Sequence, residues 1–433
     1  MSSEVIGVYG FIVLFVLLAA GIPLGVGMGM VGFIGLWEII SFPAAFAKMA
    51  ITPFDLVSNY SFASLPLFLL MGHIVVSTGQ GREMFRVGQK WFGRVPGGLA
   101  MATVGGCAGF GAVCSSSIAT AVTMGLVAMP EMKRRNYDPA LMTGTIAAGG
   151  TIGSLIPPSG YLLIYGIITE NSIAKLFIAG IIPGIIVALS YITAIGIRCI
   201  KNPRLGPPDR RYSVGEKIVG LKEIWEIVAL MIFSIGGLVI GVFTATEAGA
   251  VGAFGAFAAA AIRGKLTWGS FREALLESMK TSGMIYAILI GAFIFNNFCA
   301  ASGLPTALSQ WLSSLKISPM EVIIILIFIY LILGALMDEA SVQLLTIPIF
   351  YPLVIGLGFN PIWFGVIQAR LLQIGMIAPP IGINDFVVAG LDKSISLATV
   401  YRGVLWFIVC DIVTLAMFVY WPGLITGLPD LVK

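Results

Sequence analysis

The chain has 433 residues, of which 58% are hydrophobic and only 11% charged, with a mean hydropathy of +0.99. That balance excludes a water-soluble domain, and a net charge of +4 is too small for a nucleic-acid surface. A single histidine and five cysteines (Cys107, Cys114, Cys199, Cys299 and Cys410) without metal-ligand spacing argue against a metalloenzyme and against a disulfide framework. The composition fits an all-α polytopic membrane protein.

Apolar spans are predicted over 4–20, 22–40 and 54–78. The first lacks a basic leader and a cleavage site and is expected to be retained. Gly21, Gly25 and Gly29 form a helix-packing stripe, and His73 and Glu247 read as packing residues. Residues 80–95 differ. Arg82, Arg86, Lys90 and Arg94 alternate with Met84, Phe85, Val87, Trp91 and Phe92 at helical spacing. This predicts an amphipathic helix in the interface plane, on the cytoplasmic side.

Gly97 to Pro130 is glycine-rich and uncharged, and Lys133, Arg134 and Arg135 follow at once. Both ends of this segment therefore face the cytoplasm, which a single span cannot achieve. A re-entrant hairpin can, with its tip at Cys114 to Ser117. Residues 139–169 cross outward and 172–199 return. The linker 200–222 carries Lys201, Arg204, Arg210, Arg211, Lys217 and Lys222 against Asp209 and Glu216, and is cytoplasmic. Spans follow at 223–242 and 244–262, then a second interfacial helix at 267–280 and a span at 281–302. Beyond Ser302 the sides invert: 303–318 has one basic residue, Lys316, and 319–360 has none. The second hairpin then enters from outside with its tip near Asp338 and Glu339. Residues 361–391 come inward, and 401–421 return the C-terminus to the periplasm.

Two tandem prolines organise this pattern. SLIPPSG (Ser154 to Gly160) and MIAPPIG (Met376 to Gly382) interrupt long apolar runs where an unbroken helix is otherwise expected. In hydrocarbon such a break survives only where it lines a polar cavity. They are one offset apart (379 − 157 = 222), and the same offset pairs Pro130 with Pro352, Pro139 with Pro361, Gly153 with Gly375 and Ser116 with Asp338. The chain therefore reads as an inverted-topology duplication, each half holding a re-entrant hairpin and a broken helix. Residues 1–96 are expected to be scaffold spans and an arm helix, and 97–199 the first transport repeat. Residues 200–318 supply the linker, further scaffold spans and arm helices, and 319–433 the second repeat.

Discontinuous helices meeting at the midplane are where secondary transporters bind cargo and ions. Two such junctions predict two sodium-type sites flanking one substrate. Serine hydroxyls at 115–117 suit ligation of a cation or substrate oxygens, or bonds to their own backbone carbonyls. Asp338 and Glu339 are costly at membrane depth and are site candidates, unless the tip reaches water or Asp338 is a helix N-cap. Asn384 and Asp385 are further candidates. Arg370 offers a two-pronged grip on a carboxylate or sulfonate, with Gln373 one turn on and on the same face; its alternatives are a structural pairing with an acid or snorkelling.

PEMKRRNYDP after the serine-bearing tip, then IPPSGYLLIYG, LFIAGIIPG, LGALMDEAS and GMIAPPIG, resemble the large membrane subunit of TRAP (tripartite ATP-independent periplasmic) transporters, over nearly the whole chain. The resemblance implies an inner-membrane permease for sodium-driven uptake of small organic acids by an elevator motion. A small membrane subunit and a periplasmic substrate-binding protein are the implied partners. It places sodium at Ser115, Ser117, Gly153 and Pro157, and at Asp338, Ser341, Gly375 and Pro379. The substrate would meet Ser116, Ser117, Ser159, Glu339, Arg370, Asn384 and Asp385. Cys114, where the family commonly has glycine, and Arg370 depart from its pattern. A stand-alone sodium–carboxylate carrier of similar fold is the alternative; a channel and an intramembrane enzyme have less support.

Overall fold

The computed structural model describes residues 2–314 and 317–431; Lys316 lies outside them. Every regular element among the described residues is helical. The first are α1 (Ser3–Ala19), α2 (Leu24–Ile39), α3 (Phe42–Ser58), α4 (Ser64–Ser77) and α5 (Gly81–Phe92). The predicted span 54–78 is thus two helices, because Asn59 is extended and accepts from the Ser61 N–H, starting a new turn. Gly25 and Gly32 let α2 lie backbone-to-backbone on a later helix, at Ala287–Ile288 and Ile294–Phe295. Gly21 is not part of that stripe; it sits in a left-handed turn after α1.

The first repeat consists of α6 (Gly98–Cys114), α7 (Ser117–Arg134), α8 (Pro139–Ile152), α9 (Gly160–Ile168) and α10 (Ile173–Lys201). Next come α11 (Val214–Leu221), α12 (Trp225–Met231), a π turn at Ile232–Gly236, α13 (Gly237–Val239) and α14 (Ala245–Ile262). Glu247 is not a packing residue: it closes an exposed capping box with Thr244 at the start of α14. The expected arm at 267–280 and span at 281–302 are one continuous helix, α15 (Trp268–Ser302), since no breaker separates them. A short helix, α16 (Leu304–Ser314), leads to the second repeat. That comprises α17 (Pro319–Leu336), α18 (Glu339–Gly356), α19 (Pro361–Gly375), α20 (Ile383–Leu391) and α21 (Leu397–Tyr420), with α22 (Gly423–Leu431) at the end. Among the described residues, seven helices are long and apolar enough to cross a bilayer.

The same local grammar builds both repeats. Asp138 and Asn360 each cap a helix that has proline at its first position, where the missing N–H costs nothing. Ser116 and Asp338 each cap the second arm of a hairpin. The shift of 222 carries Ser117–Arg134 onto Glu339–Gly356 (339 − 117 = 222). Both breaks hold a cis peptide, at Pro157–Pro158 and Pro379–Pro380.

Contacts at the helix ends show the inversion. The base of α7 meets the end of α20 through a Lys133–Asp392 ion pair. At the other end, Tyr165 in α9 donates to the carbonyl of Pro361, and Asn171 donates to Tyr351 in α18 at 3.0 Å. Each hairpin's open end thus lies beside the far end of the other repeat's broken helix, so the two broken helices run antiparallel. Both first halves are central: α8 is buried from Leu141 and α19 from Ile362 to their last residues.

The basic clusters of the arm helix, the linker and the α14–α15 turn meet one another. Asp209 of the linker receives Arg135 at 2.5 Å and Gln89 at 2.7 Å, while its N–H donates to the Gly93 carbonyl. Burial alone would push the Asp209 carboxyl up, but the Arg210 N–H, Gln89 and Arg135 together hold it below its ordinary value. Arg263 bridges Glu83 on α5 and Glu226 on α12, and Lys90 meets Glu223 at 2.6 Å. The arm helix is therefore anchored to the linker and to the α14–α15 turn.

Candidate functional site

The first hairpin reverses at Ser115, which has φ of 54° and lies in the left-handed region. Its hydroxyl donates to the Pro158 carbonyl at 2.5 Å, tying the tip to the first break. Ser116 spends its oxygen on the Ala119 N–H as the cap of α7. Ser117 points inward. It donates to Gln373 Oε1 at 2.6 Å, so the Ser154 hydroxyl, 2.9 Å away, is the donor in the Ser117–Ser154 contact. Gln373 in turn donates from Nε2 to Glu339 at 2.5 Å.

A buried polar chain, Ser154–Ser117–Gln373–Glu339, thus joins the first break, both hairpin tips and the second broken helix. Ser117 is 1% exposed, Gln373 0% and Glu339 3%. Gln373 was noted only as a neighbour of Arg370 and not as a site residue, although its intramembrane amide was the available signal. Ser117→Ala should leave Gln373 Oε1 without its donor at a cost of about 1–3 kcal/mol. The expected readout is a lower unfolding midpoint in detergent, with uptake falling in parallel.

The remaining candidates divide. Ser159 caps α9 at the Leu162 N–H and donates to the Ser154 carbonyl, so it shapes the first break. Asp338 is occupied locally, accepting from both the N–H and the hydroxyl of Ser341. Gly153 and Gly375 are the points of closest approach between hairpin and break. A Cβ on Gly153 would lie 2.2 Å from Gly111 Cα, and one on Gly375 would lie 2.5 Å from the Gly334 carbonyl carbon. Pro157 is buried, whereas Pro379 is exposed, so the two breaks are not equally sealed. Asn384 donates to the Ala147 carbonyl at 3.3 Å, and its own oxygen has no partner among the described residues. Asp385 is fully buried, and neither carboxylate oxygen has a partner among the described residues.

Arg370 does not join this cluster, which corrects the expectation that it grips an anion there. It is 0% exposed and forms an ion pair with Asp411 on α21, while Tyr191 on α10 donates to Asp411 at 2.6 Å. Gln373 reaches the tips, whereas Arg370, three residues earlier and expected to share its target, reaches α10 and α21 instead. Asp411 and Tyr191 were missed, although an acid inside the span 401–421 was a signal for a buried partner.

Over residues 11–424 the chain matches the family described as Tripartite ATP-independent periplasmic transporter, DctM component. It is 32% identical over 402 residues to the C4-dicarboxylate TRAP transporter large permease protein DctM of Pseudomonas aeruginosa, covering 92% of this chain and 93% of that one. It is 30% identical over 392 residues to the isethionate TRAP transporter permease protein DctMQ of Oleidesulfovibrio alaskensis, covering 89% and 60% respectively. The sialic acid TRAP transporter large permease protein SiaM of Vibrio cholerae is 29% identical over 416 residues, covering 96% of each. Among solved structures, the Alcanivorax borkumensis YdaH transporter shares the fold at a TM-score of 0.59 and 16% identity, covering 88% of this chain and 89% of that one.

Proposed function

Since the chain belongs to the DctM-component family of tripartite ATP-independent periplasmic transporters, we propose that it is the large permease subunit of a sodium-coupled importer of a small organic anion. The observation that carries this reading is the Ser154–Ser117–Gln373–Glu339 chain, which links both hairpin tips across a broken helix. The helices α7, α9 and α18 begin there, and their N-termini favour negative charge.

Sodium coupling follows from electrostatics. Glu339 is itself acidic, and no basic side chain bonds any member of the chain among the described residues. An anionic cargo beside that carboxylate needs accompanying cations. The backbone around Gly153–Pro157 and Gly375–Pro379, with Ser115 and Ser117 at one tip and Asp338 and Ser341 at the other, would supply oxygens for them. The named cargoes of the relatives are carboxylates, a sulfonate and a sugar acid, which supports a carboxylate or sulfonate substrate here.

In this reading the hairpin-bearing repeats shift as a body against the helices of 1–96 and 200–318, in an elevator motion. The small membrane subunit packs beside that scaffold in the inner membrane, and a periplasmic binding protein delivers the anion. The C-terminus is periplasmic. Proteoliposomes holding both membrane subunits, supplied with the loaded binding protein, should take up labelled anion only under an inward sodium gradient. Uptake sustained in choline would exclude sodium coupling. Full-rate uptake without the binding protein would favour the stand-alone carrier.

A further inference from the structure

The arm helix α5 has a feature that transport of the anion does not use. Its inner face, Met84, Phe85 and Val87, is buried. Most of its polar residues are engaged: Glu83 with Arg263 and Lys265, Gln89 with Asp209, and Lys90 with Glu223. Arg82 and Arg86 are different. They stand one turn apart on the exposed edge, and neither has an ion pair or hydrogen bond among the described residues.

Both arginines line a cleft of about 570 Å³ between α5 and α7, and both also line an adjoining one of about 270 Å³. Leu126 and Val127 of α7 form the apolar wall common to the two. Leu126 is 63% exposed, an unusual outlay for a hairpin helix unless hydrocarbon covers it. The other charged residues at the rims are neutralised, Lys265 by Glu83 and Glu131 by Arg134 at 3.2 Å. Two uncompensated guanidinium groups therefore meet an apolar wall at the cytoplasmic edge of the bilayer.

We propose that this cleft is a binding site for an anionic phospholipid, its phosphate held by Arg82 and Arg86 and its acyl chain lying along Leu126 and Val127. Charge complementarity selects the headgroup, and the exposed leucine selects a lipid over a soluble phosphate. The cytoplasmic leaflet presents such headgroups to basic pockets between helices. A lipid seated there wedges between the arm helix and the first hairpin, touching a scaffold element and a repeat at once.

The test is retention of lipid by purified protein washed in mixed micelles carrying equal phosphatidylglycerol and phosphatidylcholine, followed by native mass spectrometry. Wild type is expected to retain phosphatidylglycerol selectively. The double variant Arg82→Gln/Arg86→Gln should lose it by about thirtyfold, since each of the two basic contacts near an anionic surface contributes about 1 kcal/mol and every 1.4 kcal/mol is about tenfold. Arg94→Gln, which alters an exposed arginine outside both clefts, should retain it as wild type does. Equal retention of the two lipids by wild type overturns the proposal without recourse to any variant. Undiminished retention in the double variant, equal loss in Arg94→Gln, or displacement of the lipid by inorganic phosphate would each overturn it as well.

Discussion

Arg370→Met should cost about 3–5 kcal/mol, because it strands the Asp411 carboxylate in a fully buried site. Asp411→Leu should be as damaging for the opposite reason, leaving a guanidinium with no counter-charge. Arg370→Met/Asp411→Leu together should recover most of the loss. Even in the native protein the pair is incompletely satisfied: Arg370 Nε and Nη1 and Asp411 Oδ2 have no partner among the described residues. Replacing both charges by apolar groups of similar volume removes that desolvation cost along with the attraction. The measurement is a double-mutant cycle on unfolding midpoints in detergent, combined with uptake kinetics. If Arg370 is structural, the double variant transports with a KM within about twofold of wild type. A well-folded double variant whose KM rises severalfold would instead return Arg370 to the substrate.

The second large effect is expected at Gly153 and Gly375. Alanine at Gly153 forces a Cβ to 2.2 Å from Gly111 Cα, and alanine at Gly375 forces one to 2.5 Å from the Gly334 carbonyl carbon. The neighbouring atoms are backbone, which cannot rotate aside as a side chain would. Each hairpin must then lift from its break, at a cost of about 1–3 kcal/mol. The tip serines and acids would move with it, so uptake should fall by far more than stability does. A misplacement of about 1 Å in such a constellation costs on the order of a hundredfold. Gly105→Ala is the control, since nothing lies within 4 Å of its added carbon and alanine favours helix over glycine. Equal uptake by Gly153→Ala, Gly375→Ala and Gly105→Ala would show that the close approach has no functional role.

The architecture was readable because its causes are local. Tandem prolines break a helix wherever they fall, a cap followed by proline starts one, and basic residues mark a side. These rules placed both hairpins and both broken helices. They failed where the signal was weak: α3 was not foreseen, and α15 was split into two pieces although no breaker interrupts it. Of the expected stripe, Gly25 and Gly29 do face the later helix, but Gly21 was wrongly included and Gly32 was missed, since periodicity cannot tell a packing glycine from a turn glycine.

By itself the sequence determined a duplicated, inverted helical membrane protein with two fractures at corresponding points, since chain stiffness and hydropathy act over a few residues. Only the tertiary structure decided which polar groups meet. Ser117 and Gln373 are 256 positions apart, and Arg370 could equally have faced the tips or Asp411. That choice depends on how each central helix is rotated about its axis. With apolar residues on every face of α19, the hydrophobic pattern says nothing about that angle; packing against α10, α17, α18 and α21 sets it.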